Sequence, residues 1–257
     1  MKALVVLIFG VALLVGGRAA QAFDETSVKK LGVLNSCEGC DLSGASLTKA
    51  NLSGAYLAEA NFTKADLSKA YFKWADLAEA NLTKADLTKA DLTDAFLTGA
   101  NLIRANLKGA KLYRANLEGA NLEGAKLYRA DLEGANLSKA YPERADLTKA
   151  NLTDADLTGA RLYKANLWNA NLTGVDLTGA ELAEANLTNA NLKGAYLELA
   201  DLTGANLTKA NLTGAKLWHA DLTGADFTEA TLKNAYTEGA KFCKTKTPWG
   251  LDNSGCK

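Results

Sequence analysis

From Cys40 to Lys244 the chain repeats five positions without an insertion or deletion: small apolar, Asp or Asn, large apolar, Ser or Thr, and a variable residue. The large position recurs forty-one times between residues 42 and 242, and thirty-five of these are leucine. The exceptions are Phe62, Phe72, Pro142, Phe227, Thr237 and Phe242. Two positions before each, the residue is alanine except at Cys40 and Val175. A helix would spread leucines five apart around its whole circumference, and a plain strand would alternate with period two, so neither explains the pattern. A unit this short buries nothing alone, so it predicts an all-β solenoid whose units stack into a continuous core of leucine and alanine. The Asp/Asn, Ser/Thr and frequent glycine positions carry turn-forming residues and face outward.

These A(D/N)LXX units resemble the pentapeptide-repeat family over about four fifths of the chain. The resemblance implies a right-handed quadrilateral β-helix with four units per coil, hence about ten coils and a rod roughly 48 Å long at the spacing of stacked strands. The ends of such a rod need caps. Cys37 and Cys40 fall in the leucine and alanine registers at the first coil, and Cys243 and Cys256 bracket the non-repeating tail. A rod of the implied length separates the two pairs, so within one chain only Cys37 with Cys40 and Cys243 with Cys256 come within bridging distance. Exported members of the family are similar in carrying cysteines at the first coil and in a short tail. The other reading of Cys37-x-x-Cys40 is a redox dithiol or half a metal site, for which further ligands or an activating helix N-terminus are missing.

The remaining segments divide the chain into residues 1–22, 23–39, 40–244 and 245–257. Met1-Lys2, an apolar run over residues 3–15 and the small-residue sequence Ala20-Gln21-Ala22 have the order of a signal peptide cut after Ala22. The run is shorter than the ~20 residues that cross a bilayer, so no membrane anchor is expected after cleavage. Export to the bacterial periplasm or the thylakoid lumen follows, and either favours disulfides. In residues 23–39, Val28, Leu31 and Leu34 recur at helical spacing and predict a short helix whose apolar side caps the first coil. Residues 245–257, with Pro248-Trp249-Gly250, read as an irregular cap.

Residues twenty apart share a face, which lets charge be sorted. The chain has 29 basic and 29 acidic residues. The face centred on Leu47, Leu67 and their successors carries eight basic side chains against five acidic. The opposite face, centred on Leu57 and Leu77, carries eight acidic, among them Glu59, Glu79, Glu118 and Glu198, against two basic. Overall balance excludes long-range attraction to nucleic acid or anionic membrane. The two-sidedness makes Glu59, Glu79, Glu118 and Glu198 candidate partner contacts and lateral self-association a hypothesis.

Two further clusters stand out. Pro142 replaces a core leucine without a backbone N–H to give, predicting a dent, and Arg104, Tyr141, Arg144, Arg161, Tyr163 and Lys164 gather around it as a candidate site for an anionic or aromatic ligand. Trp218 and the single histidine, His219, form a candidate partner contact nearer the C-terminus. One histidine completes no metal site, and the serines belong to the repeat, so neither catalysis nor a cofactor is expected. The expected function is a non-enzymatic, exported structural or protein-interaction rod. The resemblance also implies an alternative, a DNA mimic that binds type II topoisomerases, which a near-neutral exported chain fits poorly.

Overall fold

The computed structural model describes residues 4–8, 11–15 and 25–256. The expected cleavage point after Ala22 and the first residues of the expected N-terminal cap lie outside them. Within the apolar run, β1 (Leu4–Ile8) pairs antiparallel with β2 (Val11–Val15), Leu4 opposite Val15. Among the described residues, no helix is long and apolar enough to cross a membrane.

The repeat winds into a β-helix with a register of twenty. Ser36 bridges Tyr56 in parallel, Asp41 bridges Asn61, and the same step continues to Asp226 with Lys246, broken once, between Tyr141 and Arg161. Away from Pro142 and the ends of the rod, each unit makes three backbone bonds of this ladder, as when the Leu47 and Lys49 N–H groups donate to Asp66 and Ser68 carbonyls and the Asp66 N–H donates to Ala45. Within a unit the alanine N–H closes a turn onto the leucine carbonyl three residues back, as from Ala50 to Leu47 at 3.0 Å. Four such turns make a coil of twenty residues. The leucines and alanines point inward and are buried almost without exception from Leu42 to Phe227. Phe62 and Phe72 meet edge to face across the core, with centroids 6.4 Å apart.

The outward positions follow from the same turn. The residue before the leucine is Asp or Asn because its side-chain oxygen accepts the N–H two residues on, as Asp66 does from Ser68 at 3.0 Å. Asparagines also stack through their amides, giving a column from Asp131 through Asn151, Asn171 and Asn191 to Asn211. The third residue of every turn from Gly39 to Lys244 has positive φ, whether glycine or not. Leu199 is an extreme case, with φ 59° and 66% of its surface exposed. Leu199→Gly is expected to raise stability by roughly 1 kcal/mol, because an L side chain is strained in the left-handed region. A urea midpoint at or below that of the parent would contradict this.

Both ends differ in part from expectation. Helix α1 (Glu25–Leu34) buries Leu31 against the first coil, but Leu34 is exposed, because the helix stops there and Asn35 turns away in the left-handed region with φ 48°. The tail is not irregular. Thr245 and Thr247 continue the alanine and leucine registers inward, and β3 (Thr245–Thr247) pairs antiparallel with β4 (Gly250–Asp252) around Pro248 and Trp249. Two buried threonines are tolerated because their hydroxyls donate to the Leu222 and Gly250 carbonyls at 2.7 and 2.6 Å. Cys37 joins Cys40 and Cys243 joins Cys256, with Cα separations of 5.3 and 4.7 Å.

Candidate functional site

The dent expected at Pro142 reduces to one missing rung. Pro142 lies buried in the leucine register and donates nothing to the Arg161 carbonyl, yet the Arg144 N–H still reaches Tyr163 and the Arg161 N–H still reaches Ala140, both at 2.9 Å. The turn onto the Pro142 carbonyl also survives, from the Ala145 N–H at 3.2 Å. The bonds on either side hold the path of the coil.

Of the cations gathered there, two already have partners. Arg161 contacts Glu143 at 2.9 Å and Glu181 at 3.3 Å, and its guanidinium lies 5.6 Å from the Tyr141 ring centroid. Lys164 contacts Glu184 at 3.2 Å, and Tyr163 donates its hydroxyl to the same carboxylate at 3.1 Å. The hydroxyl of Tyr163 and the Glu184 carboxylate together raise the pKa of Lys164, which stays charged. Carboxylates thus occupy the positions an anion would take at Arg161 and Lys164, and Arg104 and Arg144 belong to neither set of contacts. The sequence could not show this neutralisation, because the acids come from units eighteen to twenty-one residues away.

On the face opposite the basic one the apolar and acidic positions coincide. Trp218 packs on Tyr236 with centroids 5.4 Å apart, and Lys216 sits 3.8 Å from the Tyr196 ring centroid. His219, Trp218, Leu199, Glu198 and Glu238 line an open pocket of ≈ 450 Å³. Among the described residues no group of His, Cys, Asp and Glu is placed to hold a metal ion. Glu118 has a lysine partner, Lys139, at 3.5 Å.

Toward the N-terminal end of this face lies a cluster that reading the chain unit by unit passes over. Tyr56, Trp74 and Phe96 are 60%, 61% and 51% exposed, and with Gly54, Asp76 and Thr98 they line a pocket of ≈ 590 Å³. Tyr56, Asp76 and Phe96 occupy successive rungs of one column, and Trp74 stands at the adjoining corner above Gly54. The signal was available in the register of twenty, which puts residues 56, 76 and 96 in line.

A profile described as pentapeptide repeats matches residues 36–73, 65–102, 100–138, 143–179, 180–218 and 210–246. The chain belongs to the pentapeptide-repeat family. The family fold is the right-handed quadrilateral β-helix, and the twenty-residue register is its four-sided coil. Among solved pentapeptide-repeat structures, HetL of Nostoc sp. strain PCC 7120, involved in heterocyst differentiation regulation, is 36% identical, with 80% of this chain and 89% of that chain covered and a TM-score of 0.33. A pentapeptide repeat protein from the Arabidopsis thaliana thylakoid lumen is 32% identical over 44% of this chain and 64% of its own, with a TM-score of 0.26. QnrB1, a plasmid-mediated fluoroquinolone resistance protein, is 20% identical over 76% and 87%, with a TM-score of 0.38. No curated protein sequence matches the chain.

The C-terminal hairpin is tied to the pentapeptide-repeat shaft by charge as well as by its ladder. Lys246 contacts Asp226 at 2.9 Å. Burial pushes the Asp226 carboxyl up, but the Thr228 hydroxyl, Lys246 and the Thr228 N–H outweigh it and hold it below the usual carboxylate value. A depressed pKa gives stability that is present above the unfolded value of about 3.9 and is lost as pH falls through the lower folded value. The thermal midpoint is therefore expected to drop as pH falls below about 5 and on through the lowered folded value, and to drop less in Asp226→Asn. Equal drops in the two proteins would remove Asp226 as a source of the acid sensitivity.

Proposed function

We propose that the chain is a non-enzymatic protein-interaction module, exported to the periplasm or thylakoid lumen, that presents the face of Leu57, Leu77 and their successors to a partner protein. The observation that carries the reading is the coincidence on one face of an acidic surplus with exposed large apolar side chains: Tyr56, Phe96, Tyr196, Leu199 and Tyr236 on the face, and Trp74 at its edge. A solvated acidic surface has no need of exposed aromatic rings, whereas aromatic anchors rimmed by charge are what a protein interface uses. The hydroxyls of the repeat support the non-enzymatic reading, because many serve its turns, as Thr173 does by donating to Asn171 at 2.7 Å. The order of residues 1–22 supports export. The two cysteine pairs fit end caps, one at the first coil and one on the tail.

The test is cross-linking capture from the native compartment with residues 23–257, beside a control carrying Glu59, Glu79, Glu118 and Glu198 changed to lysine. Lysine already occupies corners with the backbone of Glu59 and Glu79, such as Lys49 and Lys69, so the control retains the coil. A partner held by the parent and lost by the control supports the reading. Capture that survives charge reversal, or no capture by either protein, overturns it.

A further inference from the structure

Along much of the rod the protein covers its own outward aromatic rings with its own cations. Lys108 and Arg129 lie 5.2 and 5.1 Å from the Tyr128 ring centroid, Lys149 lies 5.1 Å from that of Trp168, and Lys216 lies 3.8 Å from that of Tyr196. The pocket of Tyr56, Trp74 and Phe96 is different. Among the described residues no cation lies over any of these three rings or pairs with Asp76 between them. The lysine next in sequence to Trp74, Lys73, is engaged elsewhere, 3.6 Å from Asp91.

The three aromatic positions also go against the local rules of the repeat. Tyr56 and Phe96 stand where Asp or Asn would accept the N–H two residues on, and an aromatic ring cannot. Trp74 holds φ 57° at a corner where glycine is free of strain and a bulky side chain is an outlier. Three unfavourable local choices converge on one pocket, and the shaft gains no core packing from them.

We propose that this pocket binds the cationic head of an arginine or lysine on an exposed segment of a partner protein. Stacked rungs are about 4.8 Å apart, so a cation seated at the Asp76 level lies one rung from the level of each neighbouring ring, within the ~6 Å over which an aromatic face attracts a cation. The Asp76 carboxylate supplies the counter-charge. One of its oxygens accepts the Ala78 N–H at 3.0 Å, which fixes the side chain beside the pocket. The contact of cation with ring is the one the protein makes for itself at Tyr128 and Tyr196, here left for a cation from outside. The inference deepens the reading of this face as an interface by naming the chemistry of what it meets.

The experiment is isothermal titration of the full chain at low salt with the blocked peptide Gly-Ser-Arg-Ser-Gly, and with the same peptide carrying neutral citrulline in place of arginine. Two variants accompany it. Asp76→Asn keeps the oxygen that accepts the Ala78 N–H, as asparagine does throughout the repeat, and Trp74→Gly removes a strained corner, so both retain the fold. The arginine peptide is expected to bind saturably, and the citrulline peptide about ten-fold more weakly. Each variant is expected to weaken the arginine peptide by a similar factor, with Trp74→Gly melting no lower than the parent. Equal binding of the two peptides, equal binding by the variants, or no saturable binding overturns the proposal. Capture of the partner then separates the two readings. If capture is lost on reversing Glu118 and Glu198 but is unchanged by Trp74→Gly and Asp76→Asn, the interface stands without the pocket. If the arginine peptide binds as expected while capture ignores charge reversal, the pocket stands and the interface falls.

Discussion

Leu157→Ala is expected to destabilise the protein by about 3 kcal/mol, in the middle of the range for emptying a buried leucine site. Leu157 is completely buried among the leucines and alanines of the neighbouring units, and the hydrogen bonds between coils hold those units in place, so little can relax into the space. The same change at Leu232 is expected to cost roughly a third as much. That leucine is only half-buried, in the last coil, where it borders an apolar cavity of ≈ 110 Å³ with Phe242 and Trp249. In a stack where each unit contacts only its neighbours, a lesion in the middle splits the stack and one at the end frays it. Urea unfolding followed by circular dichroism, with both variants beside the parent, checks this. Equal shifts would overturn the expectation.

The second large effect concerns chain length. Removing Asp156 to Ala160 deletes one whole unit and is expected to leave a folded rod, because every remaining residue still meets one twenty positions away. Removing Thr158 alone is expected to unfold the rod beyond it, because all later leucines and alanines leave the inward register together. The five-residue deletion also turns everything after it by one face. The acidic residues before the deletion then no longer share a side with Glu198 and Glu238, so the deletion separates the surface from the fold. Circular dichroism and the thermal midpoint report the fold, and binding to a cationic resin reports the acidic side. A collapsed spectrum for the five-residue deletion would refute the register argument.

Much of this architecture was legible because the period never slips. One uninterrupted beat from Cys40 fixed the inward residues, and the twenty-residue step sorted the outer ones into faces. What escaped depended on exceptions to the beat. Thr245 and Thr247 carry the wrong polarity for the core and hid the continuation of the coil into β3, because only the structure shows the Leu222 and Gly250 carbonyls that receive their hydroxyls. Leu34 fits the apolar spacing of the helix, but the helix ends there, and the turn at Asn35 leaves this last residue outside. The cations around Tyr141 looked available because Glu143, Glu181 and Glu184 are distant in sequence or lie in other units. Tyr56, Trp74 and Phe96 are spread over some forty residues and meet only when read down a column. Periodicity reveals what repeats, and a site is made of what does not.

The missing rung at Pro142 has a mechanical consequence. Pulled by its two ends, a stack of coils bears the load through the bonds between successive coils, and the step from the coil of Pro142 to that of Arg161 has one bond fewer than an unbroken step. Under axial tension the rod is expected to yield first there, at a fixed place inside the shaft, while Arg161, clamped between Glu143 and Glu181 on either side of the gap, carries part of the force across it.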